Sequence, residues 1–249
     1  MLESVGDPSL PTRLLGLLLF GVAAALSARG HRRLQGLDAN EGSHVKRRRK
    51  WVALTLLLTV ALFGYIRLFD VPYAVVGIYP RSMAANPLLL VPDLFLGTFL
   101  GFGLYVIGSG LGVIVSRLGD EPDRTQLRAS VPRSSTGWIE LFVVSIPAIA
   151  VAEELLFRST IGALYAGYGV SPWIFVVLTS VLFGFNHLYE GGAVAVSNGI
   201  VGGMLGAIFV LTGNVIVPIA AHYANSATLY LAIYQQPEEL FDEVPPSLR

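Results

Sequence analysis

Cysteine is absent from the 249-residue chain, which excludes disulfides, thiol catalysis and cysteine-ligated metal. Any metal ligand must then be His, Asp or Glu. Charge is scarce as well: 14% of residues are Asp, Glu, Lys or Arg, against about 25% in a water-soluble domain. The 17 basic and 17 acidic residues cancel, so no basic excess points to a nucleic-acid partner. No HExxH zinc signature occurs. There is no internal repeat and no alternating pattern of a β-barrel.

What the chain has instead is apolar length. Hydrophobic residues make up 53% of it and the mean hydropathy is +0.63. The apolar residues fall in runs long enough for a bilayer core of roughly 30 Å, which needs about 20 residues of helix. The runs are 14–28, 51–69, 88–118, 138–165, 172–189, 193–212 and 215–234. They predict an all-α, polytopic transmembrane helix bundle of seven spans, or eight if residues 70–90 hide a further crossing. The first run is read as a retained helix rather than a signal peptide. Glu3 and Asp7 precede it, and Leu26-Ser27-Ala28 makes a poor cleavage site.

Eight of the 17 Lys and Arg residues lie between Arg29 and Lys50, which predicts a basic loop over 29–50 facing the cytoplasm. On that reading the charges act as topological anchors, with anionic lipid contact as a secondary effect. Residues 70–87 carry Pro72, Pro80 and Pro87 and read as an irregular external segment or a re-entrant turn. The loop over 119–137 falls on the cytoplasmic side, and the Pro-rich acidic stretch 235–249 reads as a disordered tail. Residues 1–137 then hold N-terminal helices and 138–234 a membrane core. The expected setting is the cell membrane, with the lipid bilayer as one partner. Small residues four apart at Gly97/Gly101 and Gly108/Gly112, and the set Gly199, Gly202, Gly203 and Gly206, predict closely packed helices.

Ionisable side chains inside hydrocarbon cost several kcal/mol each and default to function. Three of the last four runs contain them, while the run 193–212 holds only Ser197 and Asn198 near one end. Glu154 and Arg158 are four apart, so they share a helix face and pair. Glu153 points about 100° away with no cation on its own helix, and burial of that kind is how a glutamate becomes a general base. Pro147, one turn and a half earlier, predicts a kink. Phe183 and His187 share a face of the next run. His222 shares one with Asn225 and Ser226. His31 and His44 lie in the basic stretch and read as solvated. Each polar group alone is explained equally well as interhelical glue worth about 1 kcal/mol. Together, a carboxylate, two imidazoles and an amide on three helices argue for a site.

The motifs Glu153-Glu154-x-x-x-Arg158, Phe183-x-x-x-His187 and the His222-led third segment resemble the CPBP family of CAAX-type intramembrane endopeptidases, in the family's order and over roughly residues 138–234. The resemblance implies a metal-free glutamate protease that uses no cofactor and cuts a membrane-anchored, in some members prenylated, peptide or protein. Glu153 and His187 would activate water, and His222 and Asn225 would donate to the oxyanion. Glu154 and Arg158 would support the helix geometry, and Phe183 would pack beside His187. The family's third motif places Asn or Asp four residues after its His. Here that position is Ser226, with Asn225 one residue earlier.

Three other readings use the same residues. A zinc protease would take two His and a Glu as ligands, but would need Glu153 as both ligand and base. A proton-coupled transporter also uses Glu and His chains, but shows paired broken helices that are lacking here. A non-proteolytic immunity-type scaffold would have no need of all three of Glu153, His187 and His222.

Overall fold

Apolar runs with good helix formers between them become helices, because in hydrocarbon every backbone N–H and C=O must bond within its own segment. The computed structural model describes residues 9–32, 41–79, 86–116, 131–188 and 191–235. Seven long helices match the seven apolar runs: α1 (Leu10–Arg32), α2 (Glu41–Leu68), α3 (Leu90–Ser116), α5 (Ile146–Tyr168), α6 (Pro172–Asn186), α7 (Gly192–Thr212) and α8 (Ile216–Tyr234). A short helix α4 (Ser135–Ile139) and a π-helical turn (Glu140–Ser145) lead into α5. No strand occurs among the described residues. The protein is an all-α membrane bundle.

Five of the helices are long and apolar enough to cross a bilayer: those at 10–28, 48–68, 87–115, 192–212 and 216–234. The other two are the ones that carry Glu153 and His187. Helix α5 gives up apolar character to Glu153, Glu154 and Arg158, and α6 has only 15 residues, about 22 Å at 1.5 Å per residue.

Helix α5 is the axis of the fold. All residues from Ala152 to Leu164 are buried, and α1, α2, α6, α7 and α8 all pack on it. A helix buried on every side, its charged side chains included, is one that sits in the middle of a bundle. The predicted Pro147 disruption takes a specific form: Pro147 opens α5 directly after the π-helical turn, where the backbone ladder changes its step.

Three expectations are corrected. The basic stretch 29–50 is not a loop throughout. Helix α1 continues to Arg32 and α2 begins at Glu41, since Lys and Arg are good helix formers and let a helix run on past the apolar boundary. Residues 70–79 are not simply external: Val71, Val75 and Val76 are buried. A single 3₁₀ turn (Tyr73–Val76) tucks against α5, and the Gly77 carbonyl accepts from Val215 N–H at 3.1 Å. Position 162 must be glycine there, because a Cβ would strike the Val75 carbonyl oxygen. Gly112 faces open space and serves no packing contact. The stretch 236–249, read as a tail, lies outside the described residues, as do the side chains of His31 and His44.

Gly97 and Gly101 do what their spacing suggested. A Cβ on either would collide with a carbonyl oxygen of α8, Val217 or Ala221, so α3 and α8 meet backbone to backbone. The glycines of α7 have another use. Gly202 leaves space for the Phe183 ring, and Gly206 leaves space for the Arg158 guanidinium.

Candidate active site

Helix α5 supplies the charged centre. Glu154 and Arg158 both have no solvent exposure, and Arg158 Nε lies 2.6 Å from Glu154 Oε2. Arg158 Nη2 donates to Glu154 Oε1 at 3.5 Å, and Nη1 donates to the Gly202 carbonyl of α7 at 3.0 Å. One residue position (Arg158) thereby locks α5 to α7, and its charge is matched where solvent cannot match it.

Glu154 has a second partner that helical spacing does not reveal. His222 Nδ1, on α8, donates to Glu154 Oε1 at 2.9 Å. The carboxylate therefore sits between a guanidinium and an imidazole and fixes the His222 ring. On α6, His187 Nδ1–H donates to the Phe183 carbonyl at 2.9 Å. Since carboxylate and carbonyl oxygens only accept here, both histidines carry the Nδ1 proton and each has Nε2 left for other partners. His187 is the C-terminal cap of α6, because α6 stops at Asn186.

The Phe183 ring stands between the imidazoles, with its centroid 4.9 Å from that of His187 and 6.1 Å from that of His222. Phe157 of α5 packs edge-on against it at 5.1 Å. Phe183 thus sets the separation of the two rings as well as packing beside one of them.

Glu153 faces a cavity of ≈ 220 Å³ that is also lined by His187, His222, Asn198, Asn225 and Ser226. The structure therefore brings Glu153, His187, His222, Asn225 and Ser226 together around one space, whereas Ser197 donates to the Gly108 carbonyl instead. Glu153 is 7% exposed, and the indole N–H of Trp51 hydrogen-bonds it. Leu141 and Ser145 of the π-helical turn complete one wall, in keeping with the frequent placement of π-turns at functional sites.

Sequence reasoning missed two residues of the cavity and gave a third, Asn198, no role. Trp51 and Arg48 reach the cavity from α2, outside the segment 138–234, and Asn198 comes from the polar end of α7. Trp51 carried the faint signal of an aromatic N–H at a membrane boundary, and Arg48 was hidden among seven other cations. Asn198 was visible as an amide in an apolar run, but no helical spacing tied it to His222. Among the described residues, no three His, Asp or Glu side chains converge as a metal-binding group.

A family model for type II CAAX prenyl endopeptidase Rce1-like proteins matches residues 135–228. That interval begins at α4 and ends within α8, and contains Glu153, Glu154, Arg158, Phe183, His187, His222, Asn225 and Ser226. No curated protein and no solved structure matches the chain.

Proposed function

We propose, from the match of residues 135–228 to the family model of type II CAAX prenyl endopeptidase Rce1-like proteins, that the protein is a glutamate-dependent intramembrane endopeptidase. It acts in the cell membrane and hydrolyses a peptide bond of a membrane-associated substrate. The observation that carries this reading is the shared cavity of Glu153, His187 and His222, backed by the Arg158–Glu154–His222 chain of bonds.

The chemistry follows from the positions. Glu153, with His187 Nε2, takes a proton from a water molecule. The water oxygen adds to the scissile carbonyl carbon, and the carbonyl oxygen becomes an oxyanion. His222, held through Nδ1–H by Glu154, donates from Nε2–H to that oxyanion as the imidazolium, the form in which both ring nitrogens carry a proton. An amide from the cavity wall, Asn225 or Asn198, is a second donor. The C–N bond then breaks, and the proton held by Glu153 passes to the departing nitrogen, leaving a carboxylic acid and an amine. Glu154 and Arg158 touch no substrate on this scheme. They hold His222 in place, as an outer carboxylate does for a histidine in other hydrolytic sites.

The bilayer-facing exterior fits a lipid-anchored substrate. Leu94, Phe95, Phe99, Val106, Val177 and Val181 are exposed, as expected where the solvent is hydrocarbon.

The test is cleavage of quenched fluorescent membrane peptides by detergent-purified protein, wild type beside Glu153→Gln, with and without chelator. Chelator-resistant cleavage, reduced about 10²- to 10⁴-fold in the variant, is the expected result. Full turnover by Glu153→Gln rejects Glu153 as the base. Cleavage abolished by chelator moves the mechanism to zinc.

A further inference from the structure

Two primary amides line the cavity, Asn198 on α7 and Asn225 on α8, and the catalytic scheme needs only one. Among the described residues, neither amide has a hydrogen-bond partner in the protein. Gluing helices together, the ordinary use of an Asn in an apolar span, is therefore not what Asn198 does. Its place is fixed all the same. Ser180 Oγ of α6 donates to the carbonyl of the next residue, Gly199, at 2.5 Å. A Cβ at Gly184 would meet the Ala195 carbonyl oxygen and the Gly199 backbone, so α6 and α7 touch main chain to main chain. Asn198 is thus carried on the same rigid helix pair as His187, which lies three residues beyond Gly184.

Helix direction separates the two amides. Helices α7 and α8 are joined by the turn 213–215 and run in opposite directions, with Val201 and Ala221 packed together. Helical side chains lean toward the N-terminus of their own helix. Asn225 lies beyond His222 and leans back toward it, which suits a second donor to the oxyanion. Asn198 is about 4.5 Å from the level of Val201, while His222 is about 1.5 Å from that of Ala221 in the same direction. Asn198 also leans away from His222. The two groups are therefore offset along the cavity by at least about 3 Å, which is one residue of extended peptide.

The cavity volume of ≈ 220 Å³ is below the roughly 300–1,000 Å³ of a drug-sized ligand site, so it takes a short stretch of extended peptide. Such a stretch arrives with N–H and C=O groups that water bonded outside, and leaving them unbonded opposes binding. In an extended chain the N–H and C=O of one residue point to the same edge, where a neighbouring strand would bond both. A primary amide carries a donor and an acceptor side by side and can stand in for that strand, whereas a carboxylate only accepts.

We propose that Asn198 is a substrate-binding residue that holds the backbone N–H and C=O of one substrate residue, one or two positions along from the bond that is cut. The inference deepens the protease reading and rests on it. It makes recognition at this point depend on main chain and not on side-chain identity.

The probe is a quenched fluorescent peptide bearing an S-farnesyl cysteine, made with each peptide N–H in turn replaced by an ester oxygen. Each exchange keeps the shape of the chain and removes one donor. Cleavage is followed with wild-type protein, and the cut bond is placed by mass spectrometry. Affinity is measured with Glu153→Gln protein, so that binding is read whether or not a bond is cut. One ester, within two residues of the cut bond but not in it, should weaken kcat/KM and affinity by roughly 5- to 50-fold, the range for a lost hydrogen bond whose partner is left unmet. Asn198→Leu, made in both backgrounds, should weaken the parent peptide by a similar factor and bring parent and ester within about twofold of each other. Its unfolding temperature should hold or rise, because Asn198 bonds no described protein group and Leu is the better helix former. Asn225→Ala should lower kcat and leave the parent-to-ester ratio intact.

A scan with no sensitive position overturns the inference, as does a penalty that Asn198→Leu leaves in place. A ratio erased by Asn225→Ala and kept by Asn198→Leu moves the contact to α8 and overturns the assignment. A lower unfolding temperature in Asn198→Leu with an unchanged ratio shows a packing role and overturns it too. One sensitive position in the affinity scan, abolished by Asn198→Leu, with no cleavage by the wild type leaves the backbone contact standing and rejects the protease reading.

Discussion

Glu154→Gln is the substitution that best separates what holds the site from what acts in it. The change keeps the side-chain shape and removes one charge from a group with no solvent exposure. Arg158 then keeps its bond to the Gly202 carbonyl, but its charge is buried and unmatched. Breaking one side of a buried pair costs about 3–5 kcal/mol. At about 2–4 °C per kcal/mol for a chain of this size, the unfolding temperature in detergent should fall by roughly 6–20 °C. His222 loses its carboxylate acceptor in the same step, so cleavage should drop at least about a hundredfold. The double variant Glu154→Gln/Arg158→Met removes the orphaned charge. Replacing a buried pair by apolar volume is often neutral or stabilising, so most of the lost stability should return. Activity should not return, because His222 is still unheld. The assays are thermal unfolding by fluorescence-detected size exclusion and peptide cleavage on the folded fraction. A loss of less than about 1 kcal/mol in the single variant would falsify the buried-pair argument, since that is the scale of an exposed pair. Recovered activity in the double variant would show that Glu154 does not position His222.

Two further outcomes test the frame around the site. Gly101→Leu forces α3 off α8, because even a Cβ at 101 meets the Ala221 carbonyl. A loss of about 1–3 kcal/mol is expected from overpacking, read as a lower unfolding temperature, and an unchanged temperature would refute the backbone-to-backbone contact. Trp51→Phe keeps the aromatic volume and removes the N–H donated to Glu153. The loss, about 3- to 10-fold for one neutral hydrogen bond, should fall on kcat with KM and the unfolding temperature unchanged. A loss confined to KM would make Trp51 a binding surface instead of a positioning residue for Glu153.

Much of this protein is legible without coordinates, because the bilayer imposes its rules one segment at a time. Apolar runs of fixed minimum length point directly to the membrane-length helices over 10–28, 48–68, 87–115, 192–212 and 216–234, since an unbonded backbone is not tolerated in hydrocarbon. The Glu154–Arg158 pair follows from a spacing of four on one helix. The short reach of such arguments also explains their failures. A Lys/Arg-rich stretch reads as a loop because charge marks the membrane boundary, yet helix propensity carries α2 back to Glu41. Proline at 72 reads as an external break, yet the turn after it is buried against α5.

Helical periodicity states which residues share a face and is silent on what that face meets. The tertiary structure decided that Glu154 serves His222 as well as Arg158. It decided that the α7 glycines seat Phe183 and Arg158, and that Trp51, Arg48 and Asn198 enter the same cavity as Glu153. Each of these joins residues far apart in the chain on separate helices. Such contacts arise only when the helices choose rotations that bury every charge with a partner, and that choice belongs to the bundle as a whole.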